Sequence, residues 1–459
     1  MHTTADLIIG ESSAEGLDLS SLTAIVHDAL DVIQPGERVL AIIPDKTRDD
    51  NTHLLFPVAT EFLTRRGVAS FDALVAQGTH PPMSESQKLS KIGSTHFSGN
   101  LFDHRWDQPE ELVCLGELST ATVKQLTDGL IEQAVPVSLN KLLAPGIYET
   151  IVVLGATVPH EVAGFAGGAK YFFPGVAGPE LTHTTHWLGA LAGIENIIGR
   201  VDTPTRRLIE AAADLIEARI ISLNTVVSRD AQNELTTYAL FAGDIREAFR
   251  RAAEISRRVH IRYTGRKYKR VVALLDPHYD ELWVGGKASY KLGAIIEEGG
   301  ELIIYAPHLT KLSETHGALI EKYGYAPLES VRDMLGVSRE LRENLCIAAH
   351  LAHVAYAGRL NHEGRIVPRY NITMATGLDE ETCKRVNLGY ADYRSLDIDE
   401  LGREQDTLIV KDAGRDLYQP EYLTADDADQ TDLRHQSRLV LDDHMMRDEL
   451  VQLPSIQRC

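Results

Sequence analysis

The sequence predicts an α/β protein of two α/β domains with mainly parallel sheets and an active site in the cleft between them. Three observations lead to this prediction. Short apolar runs typical of buried strands alternate with longer amphipathic segments typical of helices. The chain of 459 residues is too long for one ordinary hydrophobic core. Reactive polar residues directly follow several predicted strands, as they do at ligand sites of open α/β sheets.

The elements of the N-terminal domain are predicted from the spacing of its apolar residues. Each strand is a short apolar run, whereas each helix repeats apolar residues every three or four positions. A charged segment rich in arginine predicts a further helix that leads into the second domain. The predicted strands are 38–43, 71–76 and 150–154, and the predicted helices are 22–30, 208–216 and 247–260.

A second α/β domain is predicted to begin at residue 268, with strands at 271–275 and 301–306 and a helix at 287–296 between them. The division assigns residues 1–267 to an N-terminal cofactor-binding domain and 268–423 to the second domain. Residues 424–459 form an acidic C-terminal extension, because their polar composition offers few large apolar side chains for a core.

Composition disfavours several classes of function. The net charge of -20, without a cluster of Lys and Arg, argues against nucleic acid as a partner. No apolar stretch approaches the ~18 residues of a membrane span, and no secretory signal is recognisable, so we expect a cytoplasmic protein without a membrane partner. The four cysteines contain no C-x-x-C pair, and histidine would therefore have to hold any bound metal.

The segment HEVAGFAGGAKYFFPGVAGPELTHTTH, residues 160–186, is the most informative part of the chain. It follows a predicted strand and places three histidines and Lys170 in backbone made pliable by glycine. Imidazole can relay a proton or bind a metal, and an amine can form a covalent bond. Similar reactive residues follow two other predicted strands, at 45–48 and 78–80, so three distant loops are expected to converge on one crevice.

These motifs resemble the nickel-pincer nucleotide-dependent lactate racemase family. Several separated motifs in the right order are more specific than any one motif alone, and the resemblance continues into the second domain at 282–287. The matching elements are D-x-x-R at Asp45 and Arg48, G-T-H ending at His80, His160, G-G-A-K ending at Lys170, P-G-x-A-G ending at Gly178, and His186.

The resemblance implies an isomerase, a racemase or epimerase that inverts C2 of a 2-hydroxy acid. Family members carry a nickel-pincer nucleotide (pyridinium-3-thioamide-5-thiocarboxylic acid mononucleotide) bound covalently to a lysine, with Ni(II) held by sulfur, carbon, sulfur and one histidine. By position, Lys170 is the tether, Gly167 and Gly168 bind the cofactor, and His186 is the nickel ligand. Sulfur donors with imidazole suit Ni(II). Cofactor maturation proteins would be partners.

Racemisation requires an acid/base group on each face of the substrate, because the hydroxyl proton leaves from opposite sides in the two enantiomers. Histidine suits both roles near neutral pH, and His80 and His160 occupy the matching positions. Asp45 would orient a catalytic histidine. The residues predicted to bind the substrate are Arg48, Trp283 and Lys287, with the arginine gripping the carboxylate through a bidentate fork.

Two positions depart from the family pattern. Lactate racemases typically have a Tyr-Gln pair ahead of the second-domain lysine, whereas this chain has Trp283 and Val284. Valine offers no hydrogen bond where an amide would. We therefore expect a substrate other than lactate, and C2 epimerisation of a sugar acid such as an aldonate is the alternative.

Two hypotheses belong to other classes of protein. A zinc-dependent hydrolase could use His183, His186 and Asp45 as ligands, although no H-E-x-x-H motif supports it. A non-catalytic binding protein could have kept the fold without the chemistry. The presence of both Lys170 and His186 argues against this second hypothesis.

Overall fold

The computed structural model describes residues 8–229 and 234–421. The chain divides into two compact units. The first runs to Thr185 and includes Thr203–His260, and the second comprises His186–Asp202 and the residues from Ile261 onward. The predicted α/β class with mainly parallel sheets is confirmed. The predicted division at residue 267 stays a prediction, and the acidic extension at 424–459 lies outside the described residues.

Strands and helices alternate through the first unit. In chain order they are β1 (Ile9–Ser12), α1 (Leu19–Leu30), β2 (Arg38–Pro44), α2 (Thr52–Arg66), β3 (Ser70–Ala76), α3 (Glu85–Lys91), β4 (Leu101–Asp103), β5 (Leu112–Leu118), α4 (Thr120–Leu126), β6 (Val135–Asn140), β7 (Thr150–Ala156), β8 (Pro159–His160), β9 (Gly164–Phe165), α5 (Pro179–Ala192), α6 (Ile194–Ile197), α7 (Pro204–Ala213), β10 (Arg219–Arg229), β11 (Leu235–Gly243) and α8 (Ile245–His260). Helix α5 continues into the second unit, which also contains α6.

The main sheet of the first unit has the order β1-β11-β10-β7-β2-β3-β4. Neighbours from β10 to β4 run parallel, and β11 is antiparallel to β10 and β1. The predicted strands at 38–43, 71–76 and 150–154 are confirmed as β2, β3 and β7. Because these strands are parallel neighbours, the loops after them leave from one edge of the sheet.

Helix α7 differs from its prediction at both ends, since it runs from Pro204 to Ala213. Helix α7 begins earlier than the predicted 208–216 because Thr203 caps it and Pro204 occupies its first turn. Helix α8 matches the predicted charged segment. Its buried residues, which include Ala248, Phe249 and Ala252, form the face that packs on β10 and β11, so the helix belongs to the first unit.

The second unit is built around a five-stranded parallel sheet with the order β18-β17-β14-β13-β19. Its elements are β12 (Ile261–Tyr263), β13 (Tyr268–Leu274), α9 (Leu282–Gly285), α10 (Lys287–Leu292), β14 (Ile296–Ala306), α11 (Gly317–Tyr323), α12 (Leu328–Val337), α13 (Arg339–Arg342), α14 (Leu345–Ala355), β15 (Gly358–Leu360), β16 (Ile366–Pro368), β17 (Asn371–Thr376), α15 (Glu380–Arg385), β18 (Gly389–Tyr390), α16 (Ile398–Leu401), β19 (Thr407–Val410) and β20 (Leu417–Gln419).

Every residue of helix α14 is buried, and the helix packs against α10, α11, α12 and α13. The strands predicted at 271–275 and 301–306 are confirmed as β13 and β14, which are longer toward their N-termini. The helix predicted at 287–296 is shorter, because α10 ends at Leu292 and a 3₁₀ turn leads into β14. Among the described residues, no helix is both long and apolar enough to span a membrane.

Candidate active site

Asp45 and His80 form a hydrogen-bonded pair at the carboxyl ends of β2 and β3. Pro44 and Ala76, the last residues of these strands, are paired in register, so the residues that follow them emerge side by side. Nδ1 of His80 lies 2.5 Å from Oδ2 of Asp45. The other carboxylate oxygen accepts hydrogen bonds from the N–H and hydroxyl of Thr47, at 2.9 and 2.6 Å. Asp45 is buried, whereas 28% of the His80 side chain is exposed.

The environment of Asp45 keeps its carboxyl group ionised. Burial alone would raise its pKa, but the hydrogen bond and charge of His80, the charge of Arg48 and the hydroxyl of Thr47 outweigh burial and lower the pKa far below its usual range. A carboxylate beside Nδ1 selects the tautomer in which Nδ1 carries the proton. Nε2 of neutral His80 then has the lone pair and can accept a proton.

Arg48 is half-buried in the loop between β2 and α2. Its backbone N–H donates to the carbonyl of Asp45 at 3.4 Å, which tightens the loop. Its guanidinium is close enough to Asp45 and Tyr171 to affect the pKa of both. Within the described residues this guanidinium has no hydrogen-bonded protein partner, and an arginine held in this way can bind a carboxylate through two parallel hydrogen bonds.

Lys170 lies in a 3₁₀ turn, Gly168–Tyr171, that follows a glycine-rich loop. Gly167 and Gly168 have φ values of 95° and 56°, in the left-handed region that glycine tolerates. A Cβ on Gly167 would lie only 2.3 Å from Oγ1 of Thr157. Gly167 therefore lets the backbone approach Thr157, which follows β7, and Gly168 lets it approach Phe249 of α8.

Two buried polar side chains that sequence reasoning missed hold this loop. Asn224 in β10 accepts a hydrogen bond from the N–H of Gly168 at 2.9 Å. Arg206 in α7 donates to the carbonyls of Phe165 and Gly167, at 2.5 and 3.1 Å. Burial lowers the pKa of Arg206 to about 10, which still leaves it charged at neutral pH. The one available sequence signal was an arginine on the apolar face of an amphipathic helix.

Tyr171 anchors the turn of Lys170 to the end of β7, because its hydroxyl donates a hydrogen bond to the carbonyl of Ala156 at 3.2 Å. Its ring occupies the space that a Cβ on Gly155 would need, since that atom would lie 2.0 Å from the ring. The pKa of Tyr171 is raised, first by burial and then by the charge of Asp50, against the opposing charge of Arg48. The turn that contains Lys170 contacts β2, the strand that leads into the loop of Arg48.

His160 lies in β8, which pairs with β9 as a short antiparallel ribbon. It is buried, and its Nδ1 accepts a hydrogen bond from the backbone N–H of Val162 at 3.1 Å. The carboxylate of Glu161 is 3.5 Å from the same nitrogen. An accepting Nδ1 means that the neutral ring carries its proton on Nε2, the tautomer opposite to that of His80.

In the second unit, Trp283 packs against two imidazole rings, which are tilted from its plane by 46° and 35°. Its ring centroid lies 4.4 Å from that of His316 and 4.1 Å from that of His350. The nitrogens of His350 are hydrogen-bonded to the hydroxyls of Tyr290 at 2.9 Å and Tyr325 at 3.3 Å. Trp283 is therefore held in one orientation.

The pKa of His350 is strongly lowered by its surroundings. Burial first, and then the charges of His353, His316 and His186, lower the pKa of His350 well below its usual value. The predicted nickel ligand His186 and the predicted substrate-binding Trp283 both belong to the second unit.

Lys287 and Val284 occupy the short helices that follow β13. Lys287 begins α10, and its ammonium lies 5.8 Å from the ring centroid of Tyr279. Val284 is partly buried and packs against the hydrophobic core of the second unit. Both residues follow the carboxyl end of a parallel strand, the edge at which open α/β sheets bind ligands.

No group of three or more His, Cys, Asp or Glu side chains placed to hold a metal ion occurs in residues 8–229 and 234–421. The zinc set of His183, His186 and Asp45 is therefore not supported. His183 instead makes an edge contact with the ring of Trp106, with 6.3 Å between the centroids.

Comparisons with known proteins agree with the motifs. The family model described as the lactate racemase N-terminal domain matches residues 23–196. A crystal structure of a protein from Thermotoga maritima is 32% identical, with a TM-score of 0.79, and the match covers 89% of this chain and 99% of that one. The chain belongs to the lactate racemase family. The resemblance predicted from the motifs is thereby confirmed, and membership indicates a racemase or epimerase, that is, an isomerase.

A second solved structure shows the same fold. It is the lactate racemase apoprotein from Thermoanaerobacterium thermosaccharolyticum, which is 19% identical with a TM-score of 0.63. The match covers 87% of this chain and 93% of that one. A search of curated proteins found no match.

The contact between Gly155 and Tyr171 gives a first prediction. Replacing Gly155 with Ala forces the buried ring to move, because the new Cβ would lie 2.0 Å from it. We expect the free energy of unfolding to fall by about 1–3 kcal/mol, measured by chemical denaturation. Gly336→Ala is the control, since nothing lies within 4 Å of a Cβ there. Equal stability of the two variants would show that Tyr171 does not depend on the space at Gly155.

Proposed function

We propose that this protein is a 2-hydroxy acid racemase or epimerase that uses a nickel-pincer nucleotide tethered to Lys170. The observation that carries the proposal is the hydrogen-bonded pair of Asp45 and His80 beside Arg48, together with the turn of Lys170, which contacts β2. A general base, a carboxylate-binding guanidinium and an amine are the groups that the reaction needs from the protein. Family membership supports the same chemistry.

The residues of the glycine-rich region fit such a nucleotide. Thr157 and Gln77 are buried, and within the described residues their side-chain polar atoms have no hydrogen-bond partner. Each such atom costs about 1–3 kcal/mol unless something supplies a partner. A polar cofactor held by Lys170 would supply it. His186 would be the one protein ligand of Ni(II), which sulfur donors and imidazole suit.

When bound, the cofactor supplies an acceptor for the C2 hydride of the substrate. The protein's own residues manage the proton and the carboxylate. Nε2 of His80 takes the hydroxyl proton, and the ionised Asp45 stabilises the imidazolium that forms. Arg48 binds the substrate carboxylate, and Lys287 is proposed as a second cation for it. His160 serves the opposite face as the second acid/base group.

The substrate is proposed to be a 2-hydroxy acid other than lactate. Trp283, which packs against two imidazoles, is larger than the tyrosine that lactate racemases typically have, and Val284 lacks the amide. A sugar acid such as an aldonate, epimerised at C2, is the alternative within the same mechanism. Maturation proteins that deliver the cofactor are the proposed partners, and the cytoplasm is the proposed location.

The tether can be tested directly. Lys170→Ala, produced together with cofactor maturation proteins, should show no covalent adduct by intact mass and no racemisation, because its amine is the only proposed attachment point. Lys46→Ala is the matched control, since Lys46 is an exposed lysine beside Asp45. An adduct or full turnover in Lys170→Ala would contradict the proposal.

The two histidines give a second test. Replacing either His80 or His160 with Gln should lower complete racemisation in both directions by about 100-fold or more, since each direction needs one as base and the other as acid. Partial chemistry should persist for one enantiomer in each variant. With a substrate deuterated at C2, this partial reaction is detected as deuterium that is retained on the enzyme. Undiminished racemisation in both variants would refute the assigned roles.

Specificity is tested with a panel of lactate, malate, 2-hydroxyglutarate, phenyllactate and gluconate, assayed by chiral separation. We expect lactate to be a poor substrate and Val284→Gln to raise its relative kcat/KM severalfold, because one neutral hydrogen bond contributes about 0.5–1.5 kcal/mol. Thermal unfolding of Val284→Gln is the control that shows whether the new amide destabilises the protein, since Val284 packs on the core. Lactate as the best substrate of the unmodified protein would overturn this part of the proposal.

A further inference from the structure

Lys91, the last residue of α3, makes two contacts with the loop that carries Arg48. Its Nζ donates a hydrogen bond to the backbone carbonyl of Arg48 at 3.0 Å and lies 2.5 Å from Oδ2 of Asp50. The carboxylate of Asp50 is fully buried, and only 11% of the Lys91 side chain is exposed. Asp50 also accepts a hydrogen bond from the N–H of Thr52 at 2.9 Å, where α2 begins.

The loop is thus fixed on both sides of Arg48. Before it, the carboxylate of Asp45 binds Thr47, and the carbonyl of Asp45 accepts the N–H of Arg48. After it, Lys91 binds the carbonyl of Arg48 and the side chain of Asp50. These contacts fix the backbone position of Arg48. The backbone position in turn determines which positions its guanidinium can reach.

We propose that Lys91 is a positioning residue that holds Arg48 in place for binding the substrate carboxylate. The inference rests on the proposed function, in which Arg48 makes that contact. Stability alone is a weak account of the pair, because removing two charges from water costs about as much as their attraction returns. The same pair does set the geometry of the loop, and a displacement of about 1 Å at a binding group lowers affinity and rate strongly.

The chain contains a matched control on the same helix. Lys88, one turn before Lys91, also donates to a backbone carbonyl, that of Leu101, at 3.0 Å, and pairs with Asp103 at 2.9 Å. Its side chain is 9% exposed, close to the value for Lys91. Its partners lie in the edge strand β4 instead of the Arg48 loop. Loss of either lysine removes the same kind of contact.

The experiment compares Lys91→Met with Lys88→Met in the cofactor-loaded protein. Both variants should lose similar thermal stability. Only Lys91→Met should raise the dissociation constant of the preferred 2-hydroxy acid, by about tenfold in titration calorimetry, with a parallel rise in KM. If Lys91→Met does not fold, Lys91→Gln, which removes the charge and keeps an N–H donor, is measured in the same way. Equal dissociation constants in the Lys91 and Lys88 variants would overturn the inference.

A double-mutant cycle with Arg48→Lys separates positioning from a general structural effect. If Lys91 acts through Arg48, then Lys91→Met should change the dissociation constant by less than about twofold once Arg48 is already replaced. If the double variant instead shows the product of the two single changes in dissociation constant, the inference is overturned and the proposed function is left intact. Unchanged affinity in Arg48→Lys alone would instead refute the role of Arg48 in the proposed function, and the inference with it.

Discussion

The hydrogen bond between His80 and Asp45 depends on the register of two parallel strands. Because Pro44 and Ala76 are paired at the ends of β2 and β3, the loops beyond them start side by side. A turn at Gly78, whose φ is 56°, then brings His80 to Asp45. The carboxylate is buried, which would ordinarily favour its protonated form. The imidazole, Thr47 and Arg48 reverse that tendency. The ionised carboxylate then determines which nitrogen of His80 can accept a proton.

The glycine-rich loop has several features that fix its position without adding stability. Its backbone lies where side chains would clash, at Gly167 against Thr157, and Gly155 leaves room for Tyr171. Arg206 is buried against the loop carbonyls, although a buried cation contributes little stability by itself. Gln77 and Thr157 add buried polar atoms without protein partners among the described residues. Such costs are typical of a region whose structure serves a ligand.

In the second unit, the buried imidazole of His350 has a packing role. The nitrogens of His350 are both engaged by tyrosine hydroxyls, and burial keeps the ring uncharged. Its ring is then available for packing, and Trp283 packs against it and against His316 in tilted arrangements. Contacts of this kind restrict the orientation of a large aromatic side chain. Together with Lys287, Trp283 makes the segment after β13 the chemically distinctive part of this unit.

Local patterns in the sequence determined the alternation of strands and helices, and the reactive residues after β2, β3 and β7, because hydrophobic periodicity and glycine content act over a few residues. The D-x-x-R, G-T-H and G-G-A-K motifs also sufficed to predict the family. Only the tertiary structure decided which of these residues meet. Asp45 and His80 are 35 positions apart, and Lys91 reaches the Arg48 loop from another helix. Contacts over such separations depend on strand order, register and packing, which no local pattern encodes.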